Sequence, residues 1–236
     1  EAAYAPRQAT GPWAIGLAQV ARCIKAAELV IGLNPADGEC VRPMLRPGAR
    51  YIDHPPFIDG TPFRAAEQNK TAIRDRLAAA TGLDRRLPWI IAVGMMRDGN
   101  KLACFEALAT ALASVSALPW QLIVAGDGPA RGKVEAALRP VADRTRLLGA
   151  LDGNDLAEAY AAADLFVWPA IREPIGMVFI EAQASSLPVI GAERPGPASI
   201  IRHGETGLLC KEGEAGALAD AIATLLKDTS RRRAMG

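Results

Sequence analysis

From Trp89 to Lys227 the chain alternates two patterns. Short apolar runs stand at 89–93, 120–125, 145–149, 164–168, 188–191 and 207–210. Each is followed by a stretch with apolar positions at helical spacing, at 101–117, 130–139, 153–163, 176–186, 196–202 and 214–227. A short apolar run without alternation suits a strand covered on both faces, and the longer periodic stretches suit helices. Six such pairs with short loops predict an α/β fold, a doubly wound parallel sheet with helices on both faces. Ligands of such sheets sit at the carboxyl ends of the strands.

Ahead of Trp89 the pattern is less regular. Residues 12–29 place Trp13, Leu17, Val20, Ile24 and Ala27 at helical spacing and predict a helix. Leu29-Val-Ile-Gly-Leu33 predicts a short buried strand, and Ala49-Arg-Tyr-Ile52 another. Asn34-Pro35 suits an N-cap followed by proline at the first helical position, opening a helix to about Leu45. Pro55-Pro56 and Asp59-Gly-Thr-Pro62 then break the pattern, and 63–81 predicts one polar helix. The break divides the chain into 1–58, the end of a first domain, and 59–236, most of a second. The chain starts on Glu1 rather than Met and ends on Arg231-Arg-Arg-Ala-Met-Gly236 inside a helical pattern. A piece of a longer protein is the expectation.

Composition narrows the classes. Half of the 236 residues are hydrophobic, ample for a buried core. The net charge of +1 indicates no nucleic-acid partner. No run of 18 apolar residues suggests a membrane span, and no leader pattern is read. Cys23, Cys40, Cys104 and Cys210 lack CxxC or zinc spacing and stand mostly in apolar runs, so buried thiols in a reducing, cytoplasmic setting are expected. Of the two histidines, His54 falls at the domain boundary and His203 reads as a helix-end residue.

The stretch richest in chemistry is Arg172-Glu-Pro-Ile-Gly-Met-Val-Phe-Ile-Glu181, between the fourth and fifth strand-like runs. It sets Glu173 and Glu181 eight positions apart, with a Pro-Ile-Gly turn and a helix start between them. The first N–H groups of a helix are unpaired and the macrodipole is positive there, so the turn suits an anion. Ile175, Gly176, Met177 and Val178 would supply those N–H groups, and Gly176 would let a ligand approach the backbone. A carboxylate on each side could take hydroxyls. That arrangement describes a sugar nucleotide, diphosphate in the middle with sugar and ribose at the ends. Plainer readings stand beside it: Glu173 as a solvated loop carboxylate, Glu181 as a polar-face glutamate, the glycine as an ordinary turn. Arg97 and Lys101 flank the loop after the first strand of the regular units. They suit a diphosphate near a helix N-terminus, or are surface cations. No Asp-x-Asp is present, so no metal is expected to hold the diphosphate.

Glu-x7-Glu embedded as Glu-Pro-Ile-Gly-Met-Val-Phe-Ile-Glu-Ala182 resembles the signature of the retaining family-4 glycosyltransferases, the glycosyl transferases group 1. Ala125-Gly-Asp-Gly-Pro129, Leu148-Gly-Ala150, Ala163-Asp-Leu-Phe-Val-Trp-Pro169 and Gly204-Glu-Thr-Gly-Leu-Leu209 occur in the family's order and spacing, over roughly 90–230. The resemblance implies the GT-B fold, two Rossmann-like domains facing a cleft. Residues 59–236 would be the C-terminal, nucleotide-sugar-binding domain, and 1–58 a remnant of the N-terminal, acceptor domain. It implies a bacterial enzyme of glycan biosynthesis that moves a hexose from a nucleoside diphosphate sugar to an acceptor hydroxyl with retention, without a metal. Glu173 would be catalytic, contacting sugar hydroxyls and the charge developing at the anomeric carbon, and Glu181 would hold the ribose. Arg97, Lys101, Ile175, Gly176, Met177 and Val178 would hold diphosphate and sugar, while Gly126, Leu148 and Gly149 would line the nucleotide site. The acceptor (a glycan, lipid or small molecule) and any peripheral membrane contact would belong to the missing domain, so this chain alone is expected to be inactive.

Two loops depart from the family pattern. Met95 stands where the family usually has Arg, and Arg97 and Lys101 are four apart rather than five. The family's Gly-Gly-x-x-Glu is replaced by Pro195-Gly-Pro-Ala-Ser199, which leaves Ser199 without a transferred role. Two other readings share the architecture. A GT-B-type sugar-nucleotide epimerase would turn over without acceptor. A noncatalytic nucleotide-binding module would show no preference for sugar diphosphates.

Overall fold

The computed structural model describes residues 12–236, the side chains of residues 12 and 13 excepted; residues 1–11 and the Trp13 side chain counted above lie outside it. The chain divides after Phe57 into two compact units. In the first, helix α1 (Pro12–Ala26) leads to strand β1 (Leu29–Gly32), α2 (Pro35–Val41), a 3-10 turn (Arg42–Met44) and strand β2 (Arg50–Asp53). β1 and β2 pair in parallel, from Leu29↔Arg50 to Gly32↔Asp53. Asn34 caps α2: its side chain accepts from Asp37 N at 3.0 Å and donates to the Asp37 carboxylate at 2.7 Å, with Pro35 next in line. The strand at 29–33 is not buried as its sequence predicts. Leu29 and Leu33 are each 39% exposed and Ile31 is 56% exposed. An apolar run predicts what wants covering, and among the described residues nothing covers these three.

The second unit opens with α3 (Thr61–Gln68) and α4 (Lys70–Thr81), where one helix over 63–81 is expected. The chain leaves helical geometry at Asn69 (φ −110, ψ 13), whose side chain donates back to the Ala65 carbonyl at 3.1 Å. Such back-bonding competes with the helical ladder. Six βα units follow: β3 (Trp89–Val93), α5 (Asn100–Ser114), β4 (Gln121–Ala125), α6 (Arg131–Leu138), β5 (Thr145–Gly149), α7 (Gly153–Ala162), β6 (Leu165–Val167), α8 (Met177–Ala184), β7 (Val189–Ala192), α9 (Pro195–Ala198), β8 (Gly207–Cys210) and α10 (Ala215–Lys227). A separate α11 (Thr229–Met235) closes the unit, capped by Asp228 accepting from Arg231 N at 2.9 Å.

The sheet runs β5-β4-β3-β6-β7-β8, parallel at every pairing. That is the doubly wound order, and its direction reverses between β3 and β6. The β3 residues Trp89, Ile90, Ile91 and Ala92 are fully buried, as are Leu165, Phe166 and Val167 of β6. β3 and β6 pair only at Ile90↔Leu165 and Ile91↔Phe166. Asp164, just before β6, reinforces that seam: its carboxylate accepts from Trp89 N and from Arg74, both at 2.8 Å. Arg74 donates on to the carbonyls of Ala162 at 2.8 Å and Leu87 at 2.6 Å.

The helix at 196–202 with its helix-end histidine, and the burial of all four cysteines, give way elsewhere. The helix read at 196–202 is a single turn, and His203 sits beyond it with Nδ1 accepting from Leu209 N at 3.0 Å, tying a loop to β8. Cys104 and Cys210 are buried, but Cys23 is exposed and Cys40 only partly covered. Among the described residues no helix is long and apolar enough to cross a membrane.

Candidate functional site

The loops after β3 and β6 flank the point where strand order reverses, and the second of them carries two of the non-glycine positive-φ residues. Ala170 and Arg172, neither a glycine, have φ of 54 and 50, and Gly176 has φ of 87. This turn carries Glu173, whose N–H closes it on the Ala170 carbonyl at 3.1 Å. The Glu173 carboxylate accepts from Lys101 Nζ at 2.6 Å. The pair is largely sheltered, with side chains 24% (Lys101) and 15% (Glu173) exposed. Lys101 lies in the first turn of α5, its ammonium 5.3 Å from the centre of the Trp168 ring. Trp168 in turn packs edge-on against Phe105 at 5.1 Å, so the core beneath holds the lysine's platform.

Gly176 is the N-cap of α8 and no side chain caps that helix. Its left-handed backbone aims the start of α8, and a Cβ there would meet the Phe179 ring at 2.7 Å. Ile175, Gly176, Met177 and Val178 thus lie at an uncapped helix start two to five residues after Glu173, where free N–H groups and the dipole favour negative charge.

Glu181 lies one turn into α8 and is only partly exposed. The buried Tyr160 hydroxyl, on α7, donates to its Oε2 at 2.8 Å. Burial pushes the Glu181 carboxyl above its ordinary value, and the Tyr160 hydrogen bond pulls it part of the way back. Burial first, and Glu181 second, push the Tyr160 phenol well up, so it stays a donor.

The remaining sequence-predicted residues lie at neighbouring strand ends. Gly126, after β4, donates its N–H to the Gly149 carbonyl at 2.7 Å, and Gly149 ends β5 beside the partly exposed Leu148. The Gly126–Gly128 turn is pressed against the loop after β3. Met96 N donates to the Asp127 carbonyl and Ala130 N to the Met96 carbonyl, each at 2.9 Å. Gly126 has φ of 142, and a Cβ there would strike the Gly94 carbonyl oxygen. Arg97 is not drawn in with Lys101. It is exposed and makes no salt bridge among the described residues.

Sequence reasoning missed the groups that hold these residues. Tyr160 positions Glu181 from 21 residues away. Cys104 Sγ accepts from Ile171 N at 3.3 Å, and burial keeps its thiol neutral by pushing its pKa up to about 11. Glu212, after β8, accepts from Arg172 N at 2.6 Å and from Arg194 at 2.8 Å. None stands in a local motif; each is a neighbour only in the folded chain.

Comparison with known proteins agrees with this architecture. A family model described as Glycosyl transferases group 1 matches residues 88–228. The chain is 36% identical over 118 residues to N-acetyl-alpha-D-glucosaminyl L-malate synthase of Bacillus anthracis, covering 49% of this chain and 30% of that one. It is 29% identical over 203 residues to a GDP-mannose-dependent alpha-(1-6)-phosphatidylinositol monomannoside mannosyltransferase of Mycobacterium tuberculosis, covering 80% of this chain and 50% of the other. Among solved structures, sucrose-phosphate synthase from Thermosynechococcus elongatus superposes with a TM-score of 0.76 at 27% identity, covering 98% of this chain and 57% of that one. Anabaena HepE, solved with UDP and glucose, superposes with a TM-score of 0.71 at 20% identity, covering 94% and 60%. The chain thus spans half or less of the length of the two curated relatives. With a family model matching more than half of its residues, the chain belongs to the glycosyl transferases group 1.

Proposed function

We propose that the unit from Ile58 onward is the nucleotide-sugar half of a retaining glycosyltransferase, which moves a hexose from a nucleoside diphosphate sugar to an acceptor hydroxyl. One observation carries the reading: at the switch point of the sheet, a sheltered Lys101–Glu173 pair stands beside an uncapped helix start, with an anchored glutamate one turn further on. The diphosphate lies against the amides of Gly176, Met177 and Val178 and is neutralised by Lys101, with Arg97 swinging in from solvent. Those cations and the helix dipole take the place of a metal and stabilise the leaving group. Glu181 accepts the ribose hydroxyls through the carboxylate oxygen that Tyr160 leaves uncommitted. Glu173 faces the sugar and stabilises positive charge as the anomeric bond breaks. Gly126, Leu148 and Gly149 line the nucleotide.

Relatives support the donor class. HepE is solved with UDP and glucose, and the Mycobacterium tuberculosis relative is named as GDP-mannose-dependent. The acceptor is a glycan, lipid or small molecule bound outside these residues. The buried, neutral Cys104 and Cys210 suit a reducing compartment, so we assign the enzyme to the cytoplasm, with access to the inner membrane face where the acceptor is a lipid.

Calorimetry separates the two glutamates, with UDP, UDP-glucose, GDP and GDP-mannose as probes. Glu181→Ala weakens the free diphosphates about tenfold to a hundredfold, the worth of a hydrogen bond to a charged group. Glu173→Ala weakens the sugar nucleotides relative to the free diphosphates, which bind no more weakly than to the parent because Lys101 loses its competing carboxylate. Equal losses at both positions would sink this division of roles.

A further inference from the structure

We propose that Glu212 is a positioning residue for Glu173, setting from the loop after β8 the turn that aims this glutamate at the donor sugar. The inference rests on the proposed role of Glu173. It starts from strain. Ala170 and Arg172 both hold positive φ, with Ile171 between them, and non-glycine residues keep such geometry only where their surroundings over-determine it. The turn therefore needs anchors outside itself.

Glu212 supplies the shortest one to the turn's backbone. Its Oε1 accepts from Arg172 N at 2.6 Å, at one of the two strained residues and one position before Glu173. Its Oε2 accepts from Arg194 Nη1 at 2.8 Å, on the neighbouring loop after β7. Both side chains are under a third exposed, and Arg194 Nε is buried without a hydrogen-bond partner. Glu212 thus holds this guanidinium, and the guanidinium holds Glu212. A second anchor comes from the other side, where Cys104 Sγ takes Ile171 N at 3.3 Å. Gly196 completes the support from below: a Cβ there would strike the Pro174 carbonyl. The loops after β6, β7 and β8 form one clamp, and Glu173 emerges from it towards Lys101. Glu212 itself acts through the backbone of Arg172, so its loss alters where Glu173 points and leaves the diphosphate site standing.

The test compares affinities of the 236-residue chain for UDP and UDP-glucose, and for GDP and GDP-mannose. The readout is the sugar-to-free affinity ratio of whichever pair binds more tightly. Glu212→Ala lowers this ratio about tenfold, as Glu173→Ala does, with free diphosphate affinity unchanged. Glu212→Gln keeps an acceptor for Arg172 N and restores most of the ratio. The double variant Glu173→Ala/Glu212→Ala is no worse than Glu173→Ala alone, because the two act as one unit. Arg194→Met leaves Glu212 anchored on one side and gives an intermediate ratio; it serves as the measurement if Glu212→Ala does not fold. Equal loss of free and sugar-bearing nucleotides would make Glu212 a general structural residue and overturn the proposal. A ratio unmoved by Glu212→Ala but lowered by Glu173→Ala would overturn it and leave the proposed function intact. A ratio unmoved by Glu173→Ala would overturn the proposed function itself.

Discussion

Glu181 divides its carboxylate between the protein and a ligand, and the protein's share is the Tyr160 hydroxyl at 2.8 Å. The burial of that carboxylate gives the fold a pH dependence, which the bond moderates. The Glu181 carboxyl is raised above 4.5 by burial, so the folded state holds its proton more tightly than the unfolded chain. The stability this contributes is fully present below about pH 4.5 and is lost as pH rises through the folded value. Glu181→Gln therefore gains stability relative to the parent as pH climbs from about 4 to about 7. Tyr160→Phe removes a hydrogen bond that favours the ionised form, raises the carboxyl further and makes the loss larger, extending it to higher pH. Melting temperatures across that range check both; parallel profiles for all three proteins would contradict the assignment. Glu173, Glu181 and Gly176 were legible as candidates because they share one ten-residue motif. Tyr160, Cys104 and Glu212 were not, because their value is proximity across 21, 67 and 40 residues and their local sequence carries no sign of it.

At the scale of elements, the six βα units were readable because parallel strands buried on both faces are continuous apolar runs. The strands at 89–93, 145–149 and 207–210 have the bounds their sequence predicts. What failed were features decided by a single residue or by a covering partner. Asn69 splits one polar periodic stretch into α3 and α4, and β1 is apolar yet uncovered. The glycine turn after β4 shows how much one element can depend on another. Gly126 lies under the Gly94 carbonyl with φ of 142, so Gly126→Ala adds both backbone strain and a clash. It lowers stability by about 2 kcal/mol or more, roughly 4–8 °C in melting temperature for a unit of this size. An unchanged melting temperature would mean that the loop after β3 yields, and the site with it.

For the molecule as a whole, the first unit leaves Ile15, Val20, Ile31 and Phe57 each more than half exposed. Exposed apolar surface on a parallel two-stranded sheet is a surface for further strands and helices. Since the chain spans half or less of the relatives compared above, transfer is expected to need more protein than these 236 residues. On the proposed function, the chain is expected to bind sugar nucleotides weakly and transfer nothing, and a longer chain carrying a whole first domain to release nucleoside diphosphate in the presence of acceptor. Release assays with an acceptor extract, run on both lengths, decide it. Robust transfer by the 236-residue chain would require an acceptor site within it.

The two-pair seam between β3 and β6 also runs through the proposed site. Lys101 belongs to the half of the sheet built from 89–149 and Glu173 to the half built from β6 onward, 72 positions apart in sequence. The aromatic platform under Lys101 is divided in the same way, Phe105 coming from the earlier half and Trp168 from the later. The proposed donor site thus draws on both sides of the seam. A donor bound there would touch groups from both sides of the seam, so it would staple the join and raise the unit's stability as its concentration rises above the dissociation constant.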